Sequence, residues 1–452
     1  KHRKLPRLVW VLPLVLFGVL LLLFVLFGAR FFALLGDRAL EHGDLLSART
    51  SFSRSARMAA VVGNDSSHIR ALRSLIDIEA QLNEQDAIER CRQLRILLRD
   101  SGAPEQERAK VMGREAWLLA DLGKTEMAAV CAKEATKLDE DTPNALHALG
   151  LVALKQNELM DAVEFFEKAI NSAKLREDSQ IAEHYFARAL AETRIDNFRR
   201  AQRDLELALK HGKQDISTYQ LLVKCYIKLF EPQQALGAAE RALDRHPGFS
   251  AMYFNVASVL MSMGKFEAAL EKLESPQAKK ADFPEAAITY AVACHCAKKF
   301  DKARRYYSRG YEADPDFATF AYSLTMMEED KTFDDVPLKW TSSTRGRFFK
   351  EVLLGKYDSA SVEELLALPD LRDVSERKYE GLLSKLGLGY LGKSDVERVR
   401  SEEILFAFGT RFFHEGRGGD ASKLLSRVED SREYFFWCYP LALWYKGRLG
   451  QK

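Results

Sequence analysis

The sequence predicts an all-α protein: an N-terminal transmembrane helix, an α-solenoid of about eight helical hairpins, and a divergent helical C-terminal unit. Three observations carry this expectation. Residues Leu8–Gly28 form a 21-residue run without a charged side chain. Behind it, an alanine returns at intervals close to 34 residues in the same apolar setting. The 452-residue composition, 47% hydrophobic and 29% charged with 12 prolines and 26 glycines, is that of a folded chain and excludes disordered and collagen-like classes. The expected boundaries are a basic cytoplasmic tail at 1–7, the transmembrane helix at 8–28, the solenoid at 29–329, a linker at 330–344 and the helical C-terminal unit at 345–452.

As a helix, the apolar run would be about 31 Å long, close to the hydrocarbon thickness of a bilayer. It is longer than the core of a cleavable signal peptide, and Gly28-Ala29-Arg30-Phe31-Phe32 is a poor cleavage site. Lys1, Arg3, Lys4 and Arg7 crowd its N-terminal side. The positive-inside rule therefore predicts a single-pass protein of the bacterial inner membrane, with its N-terminus in the cytoplasm and the array in the periplasm.

The repeats come next along the chain. Counted from Pro143 as position 1, Leu146, Leu149, Gly150, Ala153, Asn157, Leu159, Ala162, Phe166 and Ala169 occupy positions 4, 7, 8, 11, 15, 17, 20, 24 and 27. Position 20 recurs as Ala48, Ala87, Ala128, Ala162, Ala201, Ala235, Ala269 and Ala303, at spacings of 39, 41, 34, 39, 34, 34 and 34 residues. Position 17 is Leu45, Leu159, Phe198, Phe266 or Phe300, and Pro247 and Pro315 stand where a second helix stops. This pattern resembles the tetratricopeptide repeat, a 34-residue helix–turn–helix. The resemblance implies small residues at 8 and 20 where paired helices meet, and large ones between them. It covers roughly Ala29 to Asp316, and the longer spacings predict extra loop near Asp100–Glu105 and Asn171–Gln180.

Phe32, Leu35 and Gly36 fit positions 4, 7 and 8 of a first repeat counted from Ala29. One continuous helix of about 35 residues is therefore expected to enter the solenoid directly from the membrane. Beyond Asp316, Ala318–Glu329 reads as one more helix, and 330–344, with Pro337, reads as a linker. Two overlapping registers follow: Leu383, Leu386, Gly387 and Tyr390, and Leu405, Phe408, Gly409, Phe412 and Ala421. Both cannot be complete repeats.

Catalytic and cofactor motifs are weak. Gly387–Ser394 matches GxxxxGK[ST] literally, but amphipathic helical residues precede it where a phosphate-binding loop needs a buried strand. Cys294-His295-Cys296 resembles a ligand cluster, yet residues two apart on a helix point about 200° apart. The six scattered cysteines read as buried thiols. With 67 basic against 65 acidic residues, no nucleic-acid footprint is visible. No enzyme activity, cofactor, metal, nucleic acid or small-molecule substrate is expected.

The resemblance implies a partner-binding groove lined by first-helix positions 2, 5, 9, 12 and 13. Here these positions include Trp117, His147, Leu151, Lys155, Phe186, Leu190, Arg194, Lys224, Ile227, Lys228, Phe254, Ser258 and Met261. Apolar patches lie beside a basic strip of Lys155, Arg194, Lys224 and Lys228, which suits a protein segment with apolar anchors and acidic residues. The family's chaperone-binding members place Asn in this groove; position 9 here is Leu151, Leu190, Lys224, Ser258 and Val292, so that role is not expected. The aromatic run Tyr434–Tyr445 reads as a terminal cap or as a docking surface. The expected function is a membrane-anchored scaffold assembling a cell-envelope complex of the secretion or polysaccharide-export type. The alternative is a periplasmic chaperone-like adaptor for exported clients.

Overall fold

The structure, a computed structural model, describes residues 27–82, 84–281, 283–329, 331, 336–341, 343–354, 362–367, 401–431 and 437–449. The chain divides into two compact units, 1–213 and 214–452.

In the first unit, helices pair in chain order. They are α1 (27–41) with α2 (Leu45–Val62), α3 (Asp65–Leu82) with α4 (Glu84–Asp100), α5 (Glu105–Asp121) with α6 (Thr125–Leu138), α7 (Pro143–Lys155) with α8 (Leu159–Leu175), and α9 (Ile181–Arg194) with α10 (Phe198–Lys210). The second unit continues with α11 (Ile216–Lys228) and α12 (Pro232–Arg245), α13 (Ser250–Ser262) and α14 (Phe266–Leu273), and α15 (Pro284–Cys296) and α16 (Phe300–Gly310). Then come α17 (Pro315–Met327), α18 (Thr344–Leu353), α19 (Val362–Leu366), α20 (Ser401–His414), α21 (Gly418–Ser431) and α22 (Cys438–Arg448).

Local chemistry starts several of these helices. Asp44 and Asp215 accept backbone hydrogen bonds from Ser47 and Thr218 at the N-termini of α2 and α11, meeting donors that no turn of helix can meet. Proline occupies the first turn of α7, α12, α15 and α17, where its missing N–H costs nothing.

Packing within each hairpin follows the expected register. All eight position-20 alanines are fully buried, so paired helices approach as closely as a methyl group allows. Position 8 is closer still: a Cβ on Gly150 would stand 2.6 Å from the Phe166 ring at position 24, and one on Gly36 would stand 2.6 Å from Phe52. The turn is equally regular. Position 15 adopts left-handed backbone in Gly43, Gly123, Asn157, Asp196, Phe230, Gly264 and Lys298, which ends one helix and turns the chain into the next. Phe230 and Lys298 accept that strain without being glycine or asparagine.

Among the described residues the second C-terminal register forms a hairpin. Gly409 lies against Leu425, Gly416 is left-handed, and Ala421 is fully buried, so α20 and α21 make a repeat-like hairpin. The competing register at Leu383–Tyr390, like Gly387–Ser394, lies outside the described residues. The extra loop near Asp100–Glu105 spans only 101–104. Near Asn171–Gln180 the insertion instead lengthens α8 to Leu175 and leaves a loop at 176–180.

The membrane assignment is corrected. Of Leu8–Gly28, residues 8–26 lie outside the described residues, and among the described residues no helix is long and apolar enough to cross a membrane. The physical reason is amphipathicity. α1 carries Arg30, Asp37 and Arg38, and the 18-residue α2 carries Arg49, Arg54 and Arg57. Among the described residues the fold is therefore an all-α repeat solenoid without a membrane-crossing helix. The single-pass inner-membrane location with a periplasmic array rested on that helix and falls with it. Of the continuous entry helix, the described part is 27–41.

Candidate partner-binding surface

The structure divides the expected groove residues by burial. In the first unit, Trp117 and His147 are buried, Leu151, Phe186 and Leu190 are half-buried, and Lys155 and Arg194 are exposed. In the second unit, Ile227, Phe254 and Met261 are buried, Ser258 and Lys228 are half-buried, and Lys224 is exposed. Half-buried Phe186 has the Lys213 ammonium 4.8 Å above its ring, and Phe254 meets Phe283 edge-on at 5.1 Å.

Trp117 and His147 belong to one buried cluster of tilted rings. Their rings lie 4.1 Å apart, His184 from the next first helix is 4.8 Å from His147, and Phe166 is 5.2 Å away. The two histidines meet Nδ1 to Nδ1 at 2.9 Å. One ring must donate and the other accept, so the contact requires at least one ring whose Nδ1 carries no proton. Burial, then His184, Arg114 and Lys213, hold His147 well below the usual histidine range. Burial likewise depresses His184 to about 4, against an opposing pull from Asp178.

The basic strip has a structural task. Lys155, at position 13, donates from Nζ to the Ala120 carbonyl of the preceding first helix. Arg194, at the same position one repeat on, donates to the Leu154 carbonyl at 3.3 Å. Each cation thus caps the negative C-terminal end of its neighbour. Lys155→Met and Arg194→Met are each expected to cost about 1 kcal/mol, read as a lower denaturant midpoint; no shift in either would show the contacts to be incidental.

Two adjoining cavities of about 450 and 460 Å³ open on the first-helix side of the first unit. Arg114, Ser179 and Gln180 line both. The guanidinium of Arg114 lies 4.9 Å over the Trp117 ring, and its Nε finds no hydrogen-bond partner among the described residues. Asn144 Oδ1, in the wall of the first cavity, is buried without a partner as well. Burial raises Asp77 across from Arg114, which offsets part of the rise. Desolvation also pushes Glu107 up, but Lys110 and Arg73 outweigh it and hold the carboxyl below its ordinary value.

Sequence reading missed Arg114, which stands at position 6, and the side on which the 176–180 loop lies. The 39-residue spacing between Ala162 and Ala201 was the available signal: an insertion there projects over the first-helix side.

Among the described residues no group of three or more His, Cys, Asp or Glu side chains could hold a metal ion. All six thiols are free and buried, and burial pushes Cys131, Cys225 and Cys294 up to about 12. They pack as small apolar groups.

Residues 114–180 and 226–282 match the tetratricopeptide repeat family. No curated protein matches the chain. Among solved structures, the chain is similar to YrrB, a TPR protein with an unusual peptide-binding site, at 19% identity over 45% of this chain and 99% of that one, with a TM-score of 0.37. It is similar to pilF of Pseudomonas aeruginosa at 17% identity over 49% of this chain and 99% of that one, TM-score 0.40. Likeness to MamA is 22% over 34% of this chain and 88% of that one, TM-score 0.31.

Proposed function

From the premise that the chain carries tetratricopeptide repeats, we propose that it is a non-enzymatic scaffold taking a protein segment on the first-helix side of its first unit. One observation carries this reading: two adjoining cavities meet at Arg114, whose Nε lacks a partner among the described residues while its charge lies between Trp117 and Asp77. A half-buried guanidinium with a donor to spare, flanked by Asn144 and Gln180, suits a chain that brings carbonyl or carboxylate oxygens. Phe186 and Leu190 add half-buried apolar area nearby on α9. A solenoid stacks such surfaces side by side, which favours extended partners over small molecules.

Affinity purification with mass spectrometry tests this. Arg114→Met removes the free donor, and Ser179→Trp fills the shared wall from an exposed loop position. The unaltered chain is expected to retain one or a few stoichiometric partners that both variants lose. Partners surviving both changes would remove this surface from the function. A broad, substoichiometric mixture would instead favour an adaptor that holds many clients.

A further inference from the structure

One second helix of the first unit is apolar where its counterparts are polar. Positions 19 and 22 lie on either side of the buried position-20 alanine. In α6 they are Met127 and Val130, which are 50% and 59% exposed. The other hairpins of the alanine series hold polar, charged or small residues at these positions. Examples are Ser47 and Thr50 in α2, Asp161 and Glu164 in α8, and Lys302 and Arg305 in α16. A lone apolar side chain on a surface is ordinary, but two of them one turn apart on the wall of a cavity mark a contact surface.

That cavity, of about 440 Å³, lies between the second helices α4 and α6, and α5 contributes Glu115 and Leu119 to it. Its charges are unevenly satisfied. On the α4 side, Arg92 and Arg95 approach the buried Glu115 carboxylate to 3.1 and 3.4 Å, so their charge is taken up within the fold. On the α6 side, Glu126 and Glu134 are exposed and form no ion pair among the described residues. These two carboxylates bracket Met127 and Val130, about 12 Å apart along the helix. None of the residues lining this cavity lines the two cavities around Arg114.

We propose that the groove between α4 and α6 docks an amphipathic helix of a partner protein. The helix it fits presents leucine-like side chains between two lysines or arginines about seven residues apart. Its apolar stripe covers Met127 and Val130, and its cations meet Glu126 and Glu134. Cations at that spacing share one helix face and stand about 10.5 Å apart, within side-chain reach of the two glutamates. The apolar anchors supply affinity and the charges fix the register. This surface does not depend on the cavities around Arg114, so either can fail without the other.

The probe is a fluorescein-labelled synthetic helix with leucines at adjacent turns between two lysines seven residues apart. It is titrated with the full chain and read by anisotropy. Met127→Ser/Val130→Thr, which gives α6 the residues that α2 carries at the same positions, is expected to weaken binding about tenfold or more. Glu126→Gln/Glu134→Gln is expected to weaken it about threefold or more and to remove most of its salt dependence. Both variants replace exposed side chains, and unchanged unfolding midpoints check that the fold survives. Arg114→Met is expected to leave the peptide bound; loss of binding there would move the peptide to the first-helix cavities and overturn the proposal. No binding by the unaltered chain, or undiminished binding by the two α6 variants, overturns it as well. Self-association of the unaltered chain in sedimentation velocity, abolished by Met127→Ser/Val130→Thr, would make the occupant a second copy and also overturn it.

Discussion

Replacing Arg345 by methionine is expected to destabilise the second unit by about 3–5 kcal/mol, because it takes the shared guanidinium away from two carboxylates in a buried site. The Arg345 side chain donates from Nε to Glu403 at 2.7 Å and from a terminal nitrogen to Asp314 at 2.6 Å. Its guanidinium also lies 5.4 Å over the Phe349 ring. Arg345 and Glu403 are both buried. Burial alone would depress the arginine, but Glu403 and Asp314 outweigh it and hold the guanidinium more firmly charged than usual. Asp314 caps α17 through the Phe317 N–H, and Glu403 lies on α20, so one side chain ties the end of the repeats to the C-terminal hairpin. Removing Glu403 as well, in Arg345→Met/Glu403→Met, is expected to restore part of the loss, since the more deeply buried carboxylate is then gone and only the half-buried Asp314 has lost the guanidinium. Denaturant unfolding followed by tryptophan fluorescence reads both. A single-variant loss under 1 kcal/mol would mean that water reaches the carboxylates and that the triad is peripheral.

Acidification gives the second large effect, in the first unit. His147 and His184 are neutral in the fold and held below their ordinary value, while in the unfolded chain each titrates near 6.5. Below that pH the unfolded state binds more protons, so stability falls with pH from about 6.5 until His184 itself titrates near 4. For a depression of this size the loss is on the order of 3 kcal/mol. Carboxylates elsewhere also titrate in this window, so the informative comparison is with His147→Phe/His184→Leu. That variant is expected to show a flatter dependence of unfolding free energy on pH between 7 and 4.5. Parallel curves would show that the pair opens to solvent and is protonated in place. Trp117, packed against His147, is the natural reporter.

Other features divide by how far apart in the chain their causes lie. The hairpins were legible because each is closed by residues within one 34-residue repeat: Gly150 against Phe166, Gly409 against Leu425, alanine at position 20 and left-handed backbone at position 15. Phe230 and Lys298 show that register alone imposes that turn even where the residue type gives no hint. The groove was only half legible. Helical position says which face a side chain is on, but not what later covers that face. His147 is buried by His184 from the next repeat, 37 residues on, and Cys296 meets Pro440, 144 residues on. The basic strip reads as a ligand surface until Lys155 and Arg194 are seen to cap neighbouring helices.

The sequence by itself determined an all-α array of repeat hairpins, the register of each described hairpin and the fate of the cysteines, because those depend on local periodicity and side-chain size. Only the tertiary structure decided that Arg114 stands between two cavities, that an inserted loop walls them, and that α22 lies on α13 and α15. Those arrangements come from non-local packing between elements whose separation leaves no periodic trace, and burial of a helix face depends on the neighbour as much as on the helix.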